Sequence, residues 1–197
     1  MTVDEILAEV EDADDWKARV VCASAAERAA PLFRTLGRDD SIPVFESGLD
    51  ALWAAVESGR VGRVRSALTR LPEADEDDSN SPAYFAGLAL VVLLLAIEHA
   101  STSDPQKALN CIEELLALCD GIDTTLIAAP RQTFRYDPKN PPPPGEIETR
   151  EINAQIEVLE RLRSEDRPTT SLTDALRKRA REHASAYEAV APRLAST

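Results

Sequence analysis

Residues 81–100 read SPAYFAGLALVVLLLAIEHA, and this stretch decides the fold. Ser81 followed by Pro82 is a strong helix start, because serine caps free backbone N–H groups and proline suits the first helical position. The apolar run from Ala83 to Ile97 has no polar face, and as a helix it spans about 22 Å, short of the roughly 30 Å hydrocarbon layer of a bilayer. We therefore expect a buried helix over about 82–100, the hub against which other helices pack.

Helix signals recur on both sides of this hub. Capping residues followed by apolar residues at helical spacing predict further helices, and no segment alternates as a strand would. The expected starts lie at or near Thr2, Asp15, Ser41, Val61, Ser81, Asp104, Ile152 and Ser171. The helix from Asp104 should end at Gly121, and a proline-rich loop should follow over about 122–145. The sequence therefore predicts an all-α fold, a single compact bundle of about seven to eight helices formed by residues 1–197.

The charge is strongly negative and unevenly distributed. The chain has 35 acidic and 22 basic residues, a net charge of −13. Residues 1–128 hold 24 of the acids and 10 of the bases, and residues 129–197 hold 11 acids and 12 bases. Nucleic acid is a poor partner for this surface, because phosphate binding needs clustered Lys and Arg. A basic protein is the expected partner, and the candidate partner-binding residues are Asp4, Glu5, Glu9, Glu11, Asp12, Glu73, Asp75, Glu76, Asp77 and Asp78.

Residue types that carry catalysis or bind metals are few. The three cysteines, in a chain whose N-terminus lacks the basic region of a secretory signal, are typical of reduced thiols in the cytoplasm. Neither His99 nor His183 has a glutamate three residues before it, so the Glu-x-x-His pairs of metal-binding bundles are missing. Each histidine is expected near a helix end instead. The acidic loop 73–78 lacks the spacing of a calcium loop. We expect no catalytic residue, no metal and no cofactor.

Glu27 and Arg28 are the most unusual charged residues, because their neighbours in the predicted second helix are mainly Ala, Ser and Cys. One interpretation is a structural ion pair that joins helices. The other is a polar cleft beside the hub helix, lined by Glu27, Arg28, Asp50 and Tyr84. The basic stretch 177–181 in the last helix is expected to pair with the acidic N-terminal region and close the bundle.

Several short motifs resemble a bacterial family catalogued as domain of unknown function number four-sixteen. They are CASAAERAAP at 22–31, LDALW at 49–53, LPEADEDD at 71–78, Tyr84 before the apolar helix, and the helices around 151–163 and 176–182. Family members often have Ser-Asn-Ile-Gly near the C-terminus, where this chain has Ala-Ser-Ala-Tyr at 184–187, and the prolines at 138–144 are also particular to it. The resemblance implies an all-helical fold and supplies no activity.

Three classes of function remain open at this stage. The leading hypothesis is a non-enzymatic, acidic protein-binding module of the physical type used by immunity proteins, which dock basic toxins or nucleases through charge complementarity. The second is a small-molecule-binding protein or an enzyme that uses the polar cleft. The third is a self-associating structural or scaffold protein, so homo-oligomerisation stays open. No membrane association is expected.

Overall fold

The computed structural model describes residues 1–127 and 143–196, and in this part of the chain all regular secondary structure is helical, with no strand. The helices are α1 Val3–Glu11, α2 Asp15–Leu36, α3 Ile42–Ser58, α4 Arg65–Leu68, α5 Pro82–Thr102, α6 Pro105–Ile127, α7 Glu146–Arg163 and α8 Thr170–Leu194, with a 3-10 helix at Pro72–Asp75. The all-α prediction is confirmed. Both the capping box of Thr2 with Glu5 and the cap at Ser81 form as expected.

Helix α2 lies at the centre of the bundle. It packs against α1, α3, α5, α6, α7 and α8, and every side chain from Val20 to Phe33 is buried. Most of these side chains are small, so neighbouring helices can approach on all sides. The predicted hub, α5, is a core helix that packs against α2, α3 and α6, but α2 contacts more of the other helices.

Helix α5 is longer than the apolar run alone indicated. It has 21 residues, which is enough by length and composition to cross a membrane, and its mean hydropathy reaches 2.0. The length argument made from Ala83 to Ile97 was therefore wrong. Within the bundle, 61% of its most apolar window is buried, and Leu90, Leu93 and Ile97 are fully enclosed. The expected burial is what the structure shows.

Several predicted boundaries were wrong, and one of them is the start of α7, which begins at Glu146 and not near Ile152. Helix α6 continues past Gly121 to Ile127, because the burial of Ile122 and Asp123 extends its packed face. Residues 122–127 of the predicted loop at 122–145 are therefore helical, and its residues 128–142 lie outside the described part of the chain. Thr169, not Ser171, caps α8 by accepting from the Leu172 N–H at 3.2 Å. The helix expected over 61–71 is a single turn, Arg65–Leu68.

Asp123 ties the end of α6 to the start of α7. Its two carboxylate oxygens accept from the backbone N–H groups of Ile147 and Glu148 at 3.1 and 3.0 Å, which satisfies donors that a helix start leaves free. The carboxylate comes so close that a Cβ at Gly145 would lie 2.3 Å from it. Position 145 therefore accepts only glycine while this cap is in place.

Candidate functional site

The acidic face of α1 is mostly free. Asp4, Glu5, Glu11 and Asp12 are exposed, and no ion pair to Lys or Arg forms at Asp4, Glu11 or Asp12 within residues 1–127 and 143–196. Glu9 differs, because it pairs with Arg163 of α7 at 2.8 Å and so joins α1 to the bundle. Glu5 is partly used by the capping box, where it accepts from the Thr2 N–H at 2.7 Å.

The second acidic segment contains one residue that cannot bind a partner as predicted. Glu73 is 3% exposed, and its carboxylate accepts from the Arg38 backbone N–H at 2.7 Å and from the Ser41 hydroxyl at 2.9 Å. It holds the turn between α2 and α3, so its listing among the partner-binding carboxylates was wrong. Asp75, Asp77 and Asp78 are exposed and Glu76 is half-buried.

The two acidic segments lie at opposite ends of the bundle. α1 leads directly into the first residue of α2, whereas Glu73 contacts Arg38, which lies just beyond its last residue. α2 has 22 residues, so these ends are about 33 Å apart. The structure therefore does not join the predicted carboxylates into one face.

Glu27 is the centre of a buried ionic network that joins three helices. The carboxylate, fully enclosed, accepts from the Trp53 indole N–H at 2.7 Å, from Arg177 Nε at 3.0 Å and from Arg181 Nε at 2.8 Å. Arg177 also binds Asp50 and lies over the Trp53 ring, 5.8 Å from its centre. These contacts connect α2 and α3 to the last helix.

Arg28 belongs to a separate network on another side of α2. It is fully buried and forms a bidentate pair with Glu151 of α7, with Nε to Oε2 at 2.9 Å and Nη2 to Oε1 at 2.7 Å. Gln155 Nε2 and the Tyr187 hydroxyl also donate to Glu151, at 2.7 and 2.8 Å. Because the tyrosine proton is used there, the Cys119 thiol, 3.0 Å from Tyr187 Oη, must donate to the tyrosine oxygen.

The Cys119 thiol and the Tyr187 hydroxyl of this second network stay protonated. Burial raises the pKa of the Cys119 thiol well above its ordinary value, and burial does the same to the pKa of Tyr187. A hydrogen bond with Cys22, followed by burial, raises the pKa of Cys111 well above its ordinary value. Thiols act as nucleophiles when they are deprotonated. These buried thiols are therefore suited to packing and hydrogen bonding.

The four predicted cleft residues do not meet in one cleft. Glu27 and Asp50 are linked through Arg177, Arg28 pairs with Glu151, and Tyr84 lies at the start of α5 beside Phe85. A cavity of about 300 Å³ between α7 and α8 borders Arg28, but the arginine side chain has no exposed surface there. The alternative interpretation, ion pairs that join helices, is confirmed for both residues, although they do not pair with each other.

The partner of Arg28 was not predicted from the sequence. Glu151 and Gln155 lie four residues apart on α7, and only their burial distinguishes them from surface residues. The basic stretch 177–181 was placed more successfully, because Arg177 and Arg181 do bind acids of the N-terminal region. Arg179 instead pairs with Glu157 of α7 and Glu182 of its own helix.

The two histidines lie in different settings. His99 is near the end of α5, as predicted, and its Nδ1 hydrogen-bonds to the Asp104 carbonyl at 3.0 Å. His183 lies in the middle of α8 and contacts Glu157 at 2.9 Å, so its predicted place at a helix end was wrong. Across the parts of the chain that the structure describes, no three His, Cys, Asp or Glu side chains are grouped as a metal site would need.

Comparison with known proteins gives one informative match. No family profile matches the sequence, and no curated protein is similar to it. The crystal structure of a DUF416 family protein from Shewanella baltica OS155 superposes with a TM-score of 0.68 and 14% sequence identity, covering 89% of this chain and 93% of that one. At this identity the likeness concerns the fold. The all-helical architecture implied by the resemblance to family four-sixteen is confirmed: this chain has the fold of a DUF416 family protein.

Proposed function

We propose that this chain is a non-enzymatic protein-binding module whose acidic exterior docks a basic partner. One observation carries the proposal: among the described residues, many Lys and Arg side chains are used in ion pairs that join helices, whereas many carboxylates form no ion pair. Arg28, Arg163, Arg177, Arg179 and Arg181 all hold helices together through ion pairs. An ion pair removes one acid along with one base, so the net charge stays at −13 and is carried by carboxylates outside these pairs.

Two groups of these free carboxylates lie at the two ends of α2. Asp4, Glu11 and Asp12 lie at one end, and the loop that contains Asp77 lies at the other. In the described ranges none of these four residues has a Lys or Arg within ion-pair distance. Such a field attracts a positively charged protein before contact and speeds association.

The finer proposal is an inhibitor of the immunity-protein type. A basic toxin or nuclease binds phosphate through clustered Lys and Arg, and a compact acidic protein can cover that cluster. The free carboxylates described above suit this use, because they need no rearrangement of the internal ion pairs before they contact a cation. One end of α2 presents enough carboxylates to contact one basic cluster.

The test is affinity capture followed by a salt titration. The full chain is immobilised, exposed to a lysate of its source cells at about 50 mM salt and eluted at about 500 mM, a range over which the Debye length shortens several-fold. We expect a partner rich in Lys and Arg, whose measured Kd with the purified chain rises steeply with salt. A neutral partner, or an affinity that salt does not change, would contradict the proposal.

Two triple variants of equal charge change locate the docking end. One is Asp4→Asn, Glu11→Gln and Asp12→Asn in α1; the other is Asp75→Asn, Asp77→Asn and Asp78→Asn in the loop. All six residues are exposed, so both variants should fold. The triple variant at the docking end should lower the association rate constant. The triple variant at the opposite end should change that rate constant much less, because the two ends of α2 are separated by several Debye lengths.

A further inference from the structure

A groove between α3 and α8 forms a candidate binding site that was not predicted from the sequence. A cavity of about 530 Å³ lies there, lined by Asp50, Trp53, Ala54, Glu57, Ser58, Thr173, Asp174 and Arg177. Its lining carries three carboxylates and one guanidinium. That guanidinium is already shared between Glu27 and Asp50, so the groove has an excess of negative charge.

Two contacts fix how the helices face each other across the groove. The Thr170 hydroxyl donates to Glu57 at 3.2 Å, and Arg177 binds Asp50. Both separations are seven residues, so α3 and α8 run antiparallel here, with two helical turns between the contacts. Asp174 lies one turn from each contact on the same face of α8. It therefore faces the Trp53–Ala54 part of α3, midway along the groove.

One buried polar atom that lines the groove has no partner within the described residues. Thr173 is 7% exposed, it lines the cavity, and its hydroxyl makes no hydrogen bond within the described residues. A buried hydroxyl without a partner is costly. Asp174 and Glu57 beside it are exposed, and neither forms an ion pair with Lys or Arg in the part of the chain that the structure describes. Apart from the hydrogen bond that Glu57 accepts from the Thr170 hydroxyl, these side chains therefore offer acceptor atoms to a ligand.

We propose that this groove holds a lysine or arginine side chain of the basic partner, which makes it the specific contact of the protein-binding module proposed above. The cationic head would donate to Asp174, Glu57 and the Thr173 hydroxyl. Its aliphatic stem would lie on Ala54 and the edge of Trp53, as long basic side chains do on apolar surface. An acidic side chain is disfavoured because carboxylates only accept hydrogen bonds, and a neutral side chain would leave the negative charge of the groove without a counter-charge.

The chain contains a convenient probe of this site. Its two tryptophans are Trp16, at the start of α2, and Trp53, on the groove. In a proton–nitrogen NMR spectrum of the full chain they give two indole signals. We expect a blocked peptide with one arginine between glycines to shift the Trp53 signal saturably and to leave the Trp16 signal in place. The same peptide with citrulline, which is neutral, should shift neither.

Three substitutions test the proposed donors and acceptors. Asp174→Asn and Glu57→Gln should each weaken arginine-peptide binding about 2–5-fold, the range for single exposed ion pairs. The matched control Asp4→Asn changes the charge equally at a distant exposed position and should weaken it less than 2-fold. Thr173→Val should also weaken binding while leaving the unfolding midpoint unchanged or higher, because it removes a hydroxyl without a partner.

The outcomes separate this proposal from the broader function. If the Trp53 signal does not move, or if Asp174→Asn weakens binding no more than Asp4→Asn does, the groove is not the site. Salt-dependent capture of a basic partner in that case would leave the protein-binding function standing. A Trp53 shift that the groove variants abolish supports the groove even if the captured partner belongs to another class than toxins or nucleases.

Discussion

Replacing Arg28 with methionine should be among the most destabilising single changes that this bundle can undergo. Glu151 is 2% exposed, and Arg28 supplies three of the five hydrogen bonds that it accepts. The substitution leaves the carboxylate buried without its counter-charge, which typically costs about 3–5 kcal/mol. We expect a loss in that range in the free energy of unfolding, measured by urea denaturation followed by circular dichroism.

Two further variants test whether this loss comes from the ion pair between Arg28 and Glu151. Arg28→Met with Glu151→Met should recover at least half of the loss, because apolar residues of similar volume replace buried ion pairs at little cost. Arg150→Met is the matched control: Arg150 is 58% exposed and pairs with Glu146 at 2.7 Å, so its removal should cost less than about 0.5 kcal/mol. A loss below about 1 kcal/mol for Arg28→Met, or no recovery in the double variant, would refute the reasoning.

Two other predictions concern a close helix contact and a buried histidine. Gly87→Ala should destabilise the fold by about 1–3 kcal/mol, because the new Cβ would lie 2.7 Å from the Glu73 carbonyl oxygen. Gly121→Ala should instead stabilise the fold by up to about 1 kcal/mol, because its Cβ would meet no atom nearer than 3.9 Å. Equal effects of the two variants on thermal unfolding would contradict the argument. Burial lowers the pKa of His99, although Asp15 lies 3.7 Å away. The imidazole therefore binds a proton more tightly in the unfolded chain than in the folded one. The free energy of unfolding should fall as pH drops below about 6.5. His99→Gln should lose less stability over that range in urea titrations at several pH values, and an unchanged pH slope would count against the assignment.

Sequence patterns were sufficient for the helical fold because its signals are local. Caps such as Thr2 and Ser81, and the apolar run of α5, act within one or two helical turns. The central place of α2 was missed for a physical reason. Its interior is built from Ala, Ser and Cys, which have little hydrophobic pattern, and their small volume is what lets other helices pack on every side of it.

The buried charges were harder to place, because their partners are distant in the sequence. Glu151 lies 123 residues from Arg28, and Glu73 lies 32 residues from Ser41. An acidic residue in an acidic loop has the same local pattern whether it faces solvent or a backbone N–H. The groove between α3 and α8 was missed for the same reason: Glu57 and Asp174 resemble ordinary surface residues until the two helices are brought together.

The networks around Glu27 and Arg28 also affect the order of events during synthesis. The two charges emerge early from the ribosome, but Glu151, Arg177 and Arg181 emerge only with the last quarter of the chain. A nascent chain that ends before α7 would have to bury Glu27 and Arg28 without these partners, at a cost of several kcal/mol. The bundle therefore gains its full stability only after α7 and α8 have emerged, and a product truncated before α7 should be open to proteases.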